Sequence, residues 1–390
     1  MLCSKRRVLL VLVGLVVIVL SAVTLLDHIG PSFVGIYRYE DGGYVASKIV
    51  TSDRESRDVT IKDVDLPISL SPDIDKRGEF QKREVEKYCE QYHSPDAMPN
   101  DGHFAKEALK HLLIDRERKI MFCIAPKLAS TNIRVMFAAL NKAISPEAVF
   151  EKLTHDRDLY AQNYNMLKMS PAERKKKLDS YFKFVMTRNP LERILSAYHN
   201  KFEHHPISKN ISGVFDEAKI EMIKINRPDM YTKWERSGRT LKVFPTFNEF
   251  IHYLGSHSYY DLDPHFRPLQ YICHPCVFHY DFYANLKLMP AEFDRLFEKF
   301  NIPQDSFRNQ LAHHDTGSLM PKYYAKLSES EKKMVYQFAH SEMEFYYHIY
   351  PEERDMHIPL IGVKTYCTLL KYLNLTADSC EPPVEDMIDQ

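Results

Sequence analysis

Ala125-Pro126-Lys127-Leu128-Ala129-Ser130-Thr131-Asn132 follows the apolar run Ile120-Met121-Phe122-Cys123-Ile124 and opens into Ile133-Arg134-Val135-Met136-Phe137. The order is that of a short strand, a polar turn and a helix. A second stretch repeats it: Phe184-Val185-Met186-Thr187, then Arg188-Asn189-Pro190-Leu191-Glu192-Arg193-Ile194-Leu195-Ser196-Ala197-Tyr198. A helix N-terminus presents unpaired backbone N–H groups and the positive end of its dipole, so each turn is a ready anion site. Lys127 in one turn and Arg188 in the other add fixed charge. Two such turns point to one ligand with two separated anionic groups.

Strands that alternate with helices indicate an α/β domain. The first unit is expected as strand 119–125 and helix 131–143, the second as strand 183–187 and helix 190–203. Further helices are expected over 79–92, 105–113, from 244 onward, 290–301 and 328–346, with 146–180 helical and charged. Residues 27–80 are polar and turn-rich without a sustained period, as in a stem or spacer. The segment 261–282 is turn-rich and carries Cys273-His274-Pro275-Cys276.

Of the 390 residues, 44% are hydrophobic, enough for a sizeable core, and a formal net charge of −1 gives no case for nucleic-acid binding. The basic run Arg174-Lys175-Lys176-Lys177 follows Ser170-Pro171-Ala172-Glu173, a capping-box pattern. That run reads either as a solvated helix face or as a contact for an acidic glycan.

Val8 to Leu26 carries no charge and is long enough to span a bilayer. Lys5-Arg6-Arg7 before it and Asp27 after it place residues 1–7 in the cytosol and the remainder in the lumen. A cleaved signal peptide is the rival reading, but no small-x-small site follows. The expected organisation is a tail over 1–7, a transmembrane signal-anchor over 8–26, a stem over 27–80 and one lumenal domain over 81–390.

Seven cysteines are present, with Cys3 on the cytosolic side. Cys89, Cys123, Cys273, Cys276, Cys367 and Cys380 would lie in an oxidising compartment, where disulfides form, and the sequence does not choose their pairing. The Cys273/Cys276 pair with His279 could be half a zinc site, but four ligands are needed and no second such pair occurs. Asn210 and Asn374 head glycosylation sequons.

At its two turns the chain resembles the Golgi carbohydrate sulfotransferases, the group that includes chondroitin 4-O-sulfotransferases. Their first motif has the form P-K-V-A-C-T-N-W, here PKLASTNI. Their second has the form R-x-P-F-x-R-L-x-S-A-Y-x-x-K-F, here RNPLERILSAYHNKF. Leu128, Ser130 and Ile133 depart from the first motif without removing a charge or a backbone donor. Asp263-Pro264-His265-Phe266-Arg267-Pro268, Ile272-Cys273-His274-Pro275-Cys276 and Tyr280-Asp281-Phe282 are similar to the family's later series, and Tyr324 to Tyr346 to its C-terminal helical segment. The resemblance covers about residues 85–350.

The resemblance implies a P-loop-like parallel sheet flanked by helices, and 3′-phosphoadenosine 5′-phosphosulfate as sulfuryl donor. It implies that Pro126, Lys127, Leu128, Ala129, Ser130, Thr131 and Asn132 hold the 5′-phosphosulfate, and that Arg188 and Ser196 hold the 3′-phosphate. Arg193 either joins that site, pairs with Glu192 or Glu203, or braces the fold. The implied acceptor is a glycan or proteoglycan, with N-acetylgalactosamine of chondroitin-like chains favoured, and the implied location is the Golgi membrane.

Sulfuryl transfer builds negative charge on the phosphate oxygen that is left behind, and Lys127 is the candidate to meet it. The acceptor hydroxyl needs a base. His265 is the first candidate, with Glu192 and Asp263 weaker ones. No metal is required by this scheme. The pattern GxxxxGK[ST] of nucleoside-triphosphate enzymes is absent. A membrane-anchored glycan-binding protein without catalysis is the alternative, and the presence of Lys127, Arg188, Ser196 and His265 argues against it.

The topology has a direct test. A C-terminal tag on the chain should be protected from protease in intact microsomes, with Asn210 and Asn374 available for glycosylation. Digestion of the tag without detergent would reverse the orientation.

Overall fold

The computed structural model describes residues 34–40, 43–52, 59–62, 71, 73–92, 108–141, 166–211, 213–302 and 316–354. These fall in two units, within residues 1–67 and 68–390. In the first unit, β1 (Val34–Glu40), β2 (Gly43–Ser52) and β3 (Val59–Lys62) form an antiparallel sheet in the order β1-β2-β3. Three strands thus occupy part of the segment expected as a stem over 27–80. Glu40 pairs with Gly43, so a two-residue connection fixes the register, and the sequence Asp41-Gly42 is the usual signal for one.

The second unit begins with α1 (Ile74–Tyr92), entered through Asp73, whose carboxylate accepts from the backbone N–H of Asp75 and Lys76. Then come β4 (Leu112–Asp115), β5 (Ile120–Cys123), α2 (Ser130–Leu140), α3 (Pro171–Ser180), β6 (Phe182–Thr187) and α4 (Pro190–Tyr198). A single π turn, His199–Glu203, extends α4. Next are α5 (Val214–Asn226), α6 (Pro228–Arg236), α7 (Phe247–Ser256), α8 (Gln270–Cys273), α9 (Pro275–Phe278) and β7 (Phe282–Asn285). Last are α10 (Met289–Lys299), α11 (Met320–Tyr324) and α12 (Glu329–Ile349).

The sheet order is β4-β5-β6-β7. β5, β6 and β7 run parallel, but β4 pairs antiparallel with β5, so the sheet is mixed rather than the parallel sheet expected. β4 also replaces the C-terminal part of the helix expected over 105–113. The parallel strands are buried almost throughout, as strands covered on both faces must be. Both anion-site turns leave the carboxyl ends of adjacent parallel strands, β5 and β6, where ligands of open α/β sheets bind.

β7 is the sheet edge, and α1 closes it. The Gln81 side-chain amide donates to the Tyr283 carbonyl at 2.9 Å and accepts from its N–H at 3.0 Å, taking the place of a missing neighbour strand. Gly78 lets the helix approach this closely, since a Cβ there would stand 2.5 Å from the Asp281 carbonyl oxygen. The Tyr-Asp-Phe motif is therefore structural. Tyr280 donates to the Cys273 carbonyl, Asp281 binds the Lys183 N–H at the start of β6, and Phe282 lies beneath the buried Arg77 guanidinium.

Two disulfides fix the segment after the base motif: Cys89–Cys276 and Cys123–Cys273. Each cysteine of the Cys-x-x-Cys pair serves a different bridge, which excludes the half-zinc reading. α3 starts at Ser170, whose hydroxyl accepts from the Glu173 N–H. Lys175 and Lys177 of its basic run pair with Asp179 and Glu173. Val8–Leu26, Cys367, Asn374 and Cys380 lie outside the described residues, and no helix among those described is long and apolar enough to cross a membrane.

Peptide mapping of the unreduced full chain should recover the 89–276 and 123–273 linkages. Removing the latter by Cys123→Ala with Cys273→Ala should cost about 2–5 kcal/mol in denaturant unfolding. Recovery of an 89–123 bridge would contradict this arrangement.

Candidate active site

Lys127 and Ala129 have φ of 68° and 56°, left-handed values that side chains other than glycine seldom adopt. Each such residue costs on the order of 1–3 kcal/mol, and such strain gathers at functional sites. Left-handed residues interspersed in a turn direct successive N–H groups to one side and make an anion-binding concavity. Leu128, between them, is 1% exposed and anchors the loop in the core. The Ile133 N–H bonds the Ala129 carbonyl at 3.1 Å and starts α2, whose Thr131 is exposed at its N-terminal end. Ile133, where the resembled motif has tryptophan, is fully buried, so that departure bears on core packing.

The second turn is capped by Asn189, whose Oδ1 accepts from the Glu192 N–H at 3.1 Å, and Pro190 takes the first helical position. Arg188 reaches back from it. Its Nη1 donates to the Lys127 carbonyl at 3.1 Å, joining the two turns, and its Nη2 donates to Glu192 at 2.7 Å and to the Thr316 hydroxyl. Among the described residues, Arg188 Nε and Asn189 Nδ2 are buried without a hydrogen-bond partner. Two buried orphan donors at one turn are costly, and a phosphate oxygen is the kind of group that would satisfy them. Ser196 is buried on α4, and no hydrogen bond joins it to Arg188 among the described residues.

Glu192, a weaker candidate for the base, is 2% exposed and committed to Arg188. Arg193 pairs with neither Glu192 nor Glu203. It is 1% exposed and grips Glu342 of α12 through Nε at 2.9 Å and Nη2 at 2.8 Å, and Nη2 also donates to the Arg267 carbonyl at 2.7 Å. Its place is thus a brace between α4 and the turn that carries His265, and these contacts commit its Nε and Nη2 to protein groups.

His265 Nδ1 lies 2.6 Å from Asp263 Oδ1, which also accepts the His265 backbone N–H at 2.9 Å. Burial raises the Asp263 carboxyl, but the side-chain and backbone hydrogen bonds from His265 outweigh it and hold the group below the usual carboxylate range. An ionised carboxylate only accepts, so Nδ1 carries the proton and Nε2 is left with its lone pair. Burial lowers the His265 pKa below its ordinary 6.5. The Asp263 hydrogen bond opposes this, while the charges of Lys201 and Lys127 reinforce it. The imidazole is therefore neutral, oriented and able to take a proton. Lys127 is near enough for its charge to bear on His265. Burial, with Arg188 and Lys201 nearby, lowers Lys127 to about 8.

Lys201 was missed by residue-level reasoning, although it lies in the second motif. The π turn carries it, and π turns recur at functional sites. Its ammonium lies 4.6 Å from the Phe215 ring centroid, and Phe215 stands edge-on to His265 at 5.3 Å. A hollow of about 400 Å³ opens here, lined by Asn200, Lys201, His205, Phe215, Asp216 and Lys219. On the same turn His199 and His204 approach one Glu203 oxygen at 3.2 and 3.6 Å, and Tyr323 donates to the other. The three ligating atoms lie within 4.8 Å of one another, close enough for a divalent cation to join them.

A family model described as "Sulfotransferase family" matches residues 110–350. Carbohydrate sulfotransferase 14 of Danio rerio is 26% identical over 227 residues, 58% of this chain and 58% of that protein. Its Homo sapiens counterpart is 27% identical over 236 residues, covering 59% and 57%. Carbohydrate sulfotransferase 9 of Homo sapiens is 25% identical over 279 residues, covering 68% and 57%. The chain thus spans less than two thirds of the length of these curated relatives. No solved structure matches.

Carbethoxylation of His265, followed by mass spectrometry, should report an imidazole whose reactivity rises with pH through a midpoint below 6.5. Asp263→Asn should move that midpoint lower still, because the variant loses the charge that favours the imidazolium. An unchanged midpoint would separate the two side chains.

Proposed function

Because the chain belongs to the sulfotransferase family, we propose that it transfers a sulfuryl group from 3′-phosphoadenosine 5′-phosphosulfate to a glycan hydroxyl, with N-acetylgalactosamine of chondroitin-like chains as acceptor. The observation that carries this reading is the Asp263–His265 dyad, whose imidazole feels the charge of Lys127 in the strained turn after β5. A glycan-binding protein without catalysis has no need of an oriented neutral imidazole beside an anion-binding loop.

The residues fit a nucleotide with two anionic ends. The loop 126–132 supplies backbone N–H groups and the Lys127 ammonium for the phosphosulfate end. Arg188 and Asn189, with their orphan donors, would take the 3′-phosphate, and Ser196 lies further along the same helix. When bound, the donor supplies an activated sulfuryl group. His265 Nε2 accepts the proton of the acceptor hydroxyl, and Asp263 stabilises the imidazolium that results. Lys127 meets the negative charge left on the phosphate oxygen. Arg193, through Glu342 and the Arg267 carbonyl, keeps the base turn in place relative to the donor helix. We place this chemistry in the Golgi lumen, with residues 8–26 as the single membrane span, 27–80 as the stem and 81–390 as the catalytic domain.

Labelled-donor transfer to a glycan panel tests the reading. His265→Ala should retain binding of the desulfated nucleotide and lose roughly 10²–10⁴-fold in rate. A rate near that of wild type in a folded variant would remove His265 from the reaction.

The dependence of kcat/KM on pH should be bell-shaped. The base must be neutral, so activity falls on the acid side as pH drops through the His265 pKa, below 6.5. The lysine must be charged, so activity falls on the alkaline side as pH rises through about 8. Lys127→Ala should abolish the alkaline limb along with roughly 10²–10³-fold in rate. Nucleotide binding without transfer to any glycan would favour the binding-protein reading.

A further inference from the structure

The π turn at the end of α4 carries a group of side chains that the scheme above does not use. His199 opens the turn, Glu203 closes it and His204 is its C-terminal cap. In an α-helix His204 would point well away from His199, since five residues overshoot a turn of about 3.6. A π turn closes residue i on residue i+5, and so brings both imidazoles to the Glu203 carboxylate.

His199 Nε2 lies 3.2 Å and His204 Nε2 3.6 Å from the same oxygen, Glu203 Oε2. The two rings stand edge to face, 5.0 Å between centroids. Although two nitrogens are so near, Oε2 is buried and has no hydrogen-bond partner among the described residues. Atoms that converge on a common centre give this pattern: each is close to the others and none is directed at another. Tetrahedral bonds of about 2.0–2.2 Å set neighbouring ligand atoms roughly 3.3–3.6 Å apart, close to the two separations here. The other carboxylate oxygen, Oε1, accepts from the Tyr323 hydroxyl. Such an outer partner fixes the orientation of a metal-binding carboxylate and leaves one oxygen for the ion.

We propose that His199, Glu203 and His204 form a zinc site, with the two Nε2 atoms and Oε2 as ligands and the fourth position left to water. Two imidazoles and one carboxylate suit Zn²⁺, whereas Mg²⁺ and Ca²⁺ favour sites made of oxygen alone. The site goes beyond the transfer reaction, no step of which runs through it. The ion closes the π turn on itself and, through Glu203 and Tyr323, ties the end of α4 to α11. It thereby stiffens the turn whose Asn200 and Lys201 line the hollow beside Phe215.

The test uses the untagged full chain in detergent, stripped with a chelator that is then removed. Titration with zinc chloride, followed by calorimetry, should saturate a tight site at one ion per chain and raise the thermal midpoint. His204→Ala removes a ligand whose side chain is largely exposed, so it should fold as wild type does and lose that site. Glu203→Gln should lose it as well. Tyr323→Phe should keep the stoichiometry and weaken zinc roughly 10–100-fold. His205→Ala, which alters the neighbouring imidazole, should bind zinc as wild type does. None of these readouts depends on transfer activity, so failure of the sulfuryl-transfer reading would leave them intact. The proposal is overturned if the stripped chain takes up no zinc, or if uptake leaves the midpoint unmoved. It is equally overturned if His204→Ala binds zinc as tightly as wild type, or if Mg²⁺ or Ca²⁺ displaces zinc at equal concentration.

Discussion

The buried pair of Arg193 and Glu342 sets the relation between the two halves of the site. Desolvating both charges is expensive, and the expense is recovered only when geometry is good and the remaining donors are satisfied. Here Nε and Nη2 both meet the carboxylate, and Nη2 also holds the Arg267 carbonyl. Arg267 in turn donates to the carbonyls of Tyr259, Tyr260 and Leu262. One side chain on α4 thus organises the irregular segment that carries Asp263 and His265. Breaking a buried pair of this kind generally costs about 3–5 kcal/mol, and here the damage would fall on the placement of the His265 turn against α4.

Around that brace the site is assembled against local preference. Two residues of the first loop are left-handed without being glycine, and Arg188 and Lys201 both repel the partly desolvated Lys127. Arg188 spends donors on Glu192, Thr316 and the Lys127 carbonyl, while its Nε has no partner among the described residues. A polyanion relieves all of this together. Ligand binding should therefore stabilise the folded state by more than the contact area suggests, because it also removes repulsion present in the free protein.

The parts legible in the sequence were those set by neighbours along the chain. Both strand-turn-helix units lie close to where apolar runs and turn residues put them, and the helices from 247 and 329 begin at the capping boxes Thr246–Glu249 and Ser328–Glu331. β4 was misread because Leu112-Leu113-Ile114 is a short apolar run that periodicity assigns equally to helix or strand, and pairing with β5 decides it. The strands over 34–62 lack a clean apolar–polar alternation, so they did not announce themselves. Long-range partners were out of reach. Nothing near Arg193 in the chain indicates Glu342, and nothing near Lys201 indicates Phe215 or His265. His265 itself was readable only through its motif, and Asp263, taken as a rival base, is its orienting partner.

The bridges from Cys273 and Cys276 also dictate an order of events during synthesis. Their partners, Cys89 and Cys123, are made far earlier, at separations of 187 and 150 residues. At ribosomal speeds of roughly 5–20 residues per second, Cys89 waits on the order of 10–40 s before its mate exists. Throughout that interval the two early thiols have only each other, or other proteins, to react with. A bond between Cys89 and Cys123 in that interval would have to be reshuffled before the native bridges form. The strand that leads into the loop after β5 becomes covalently secured only when the segment just downstream of His265 arrives.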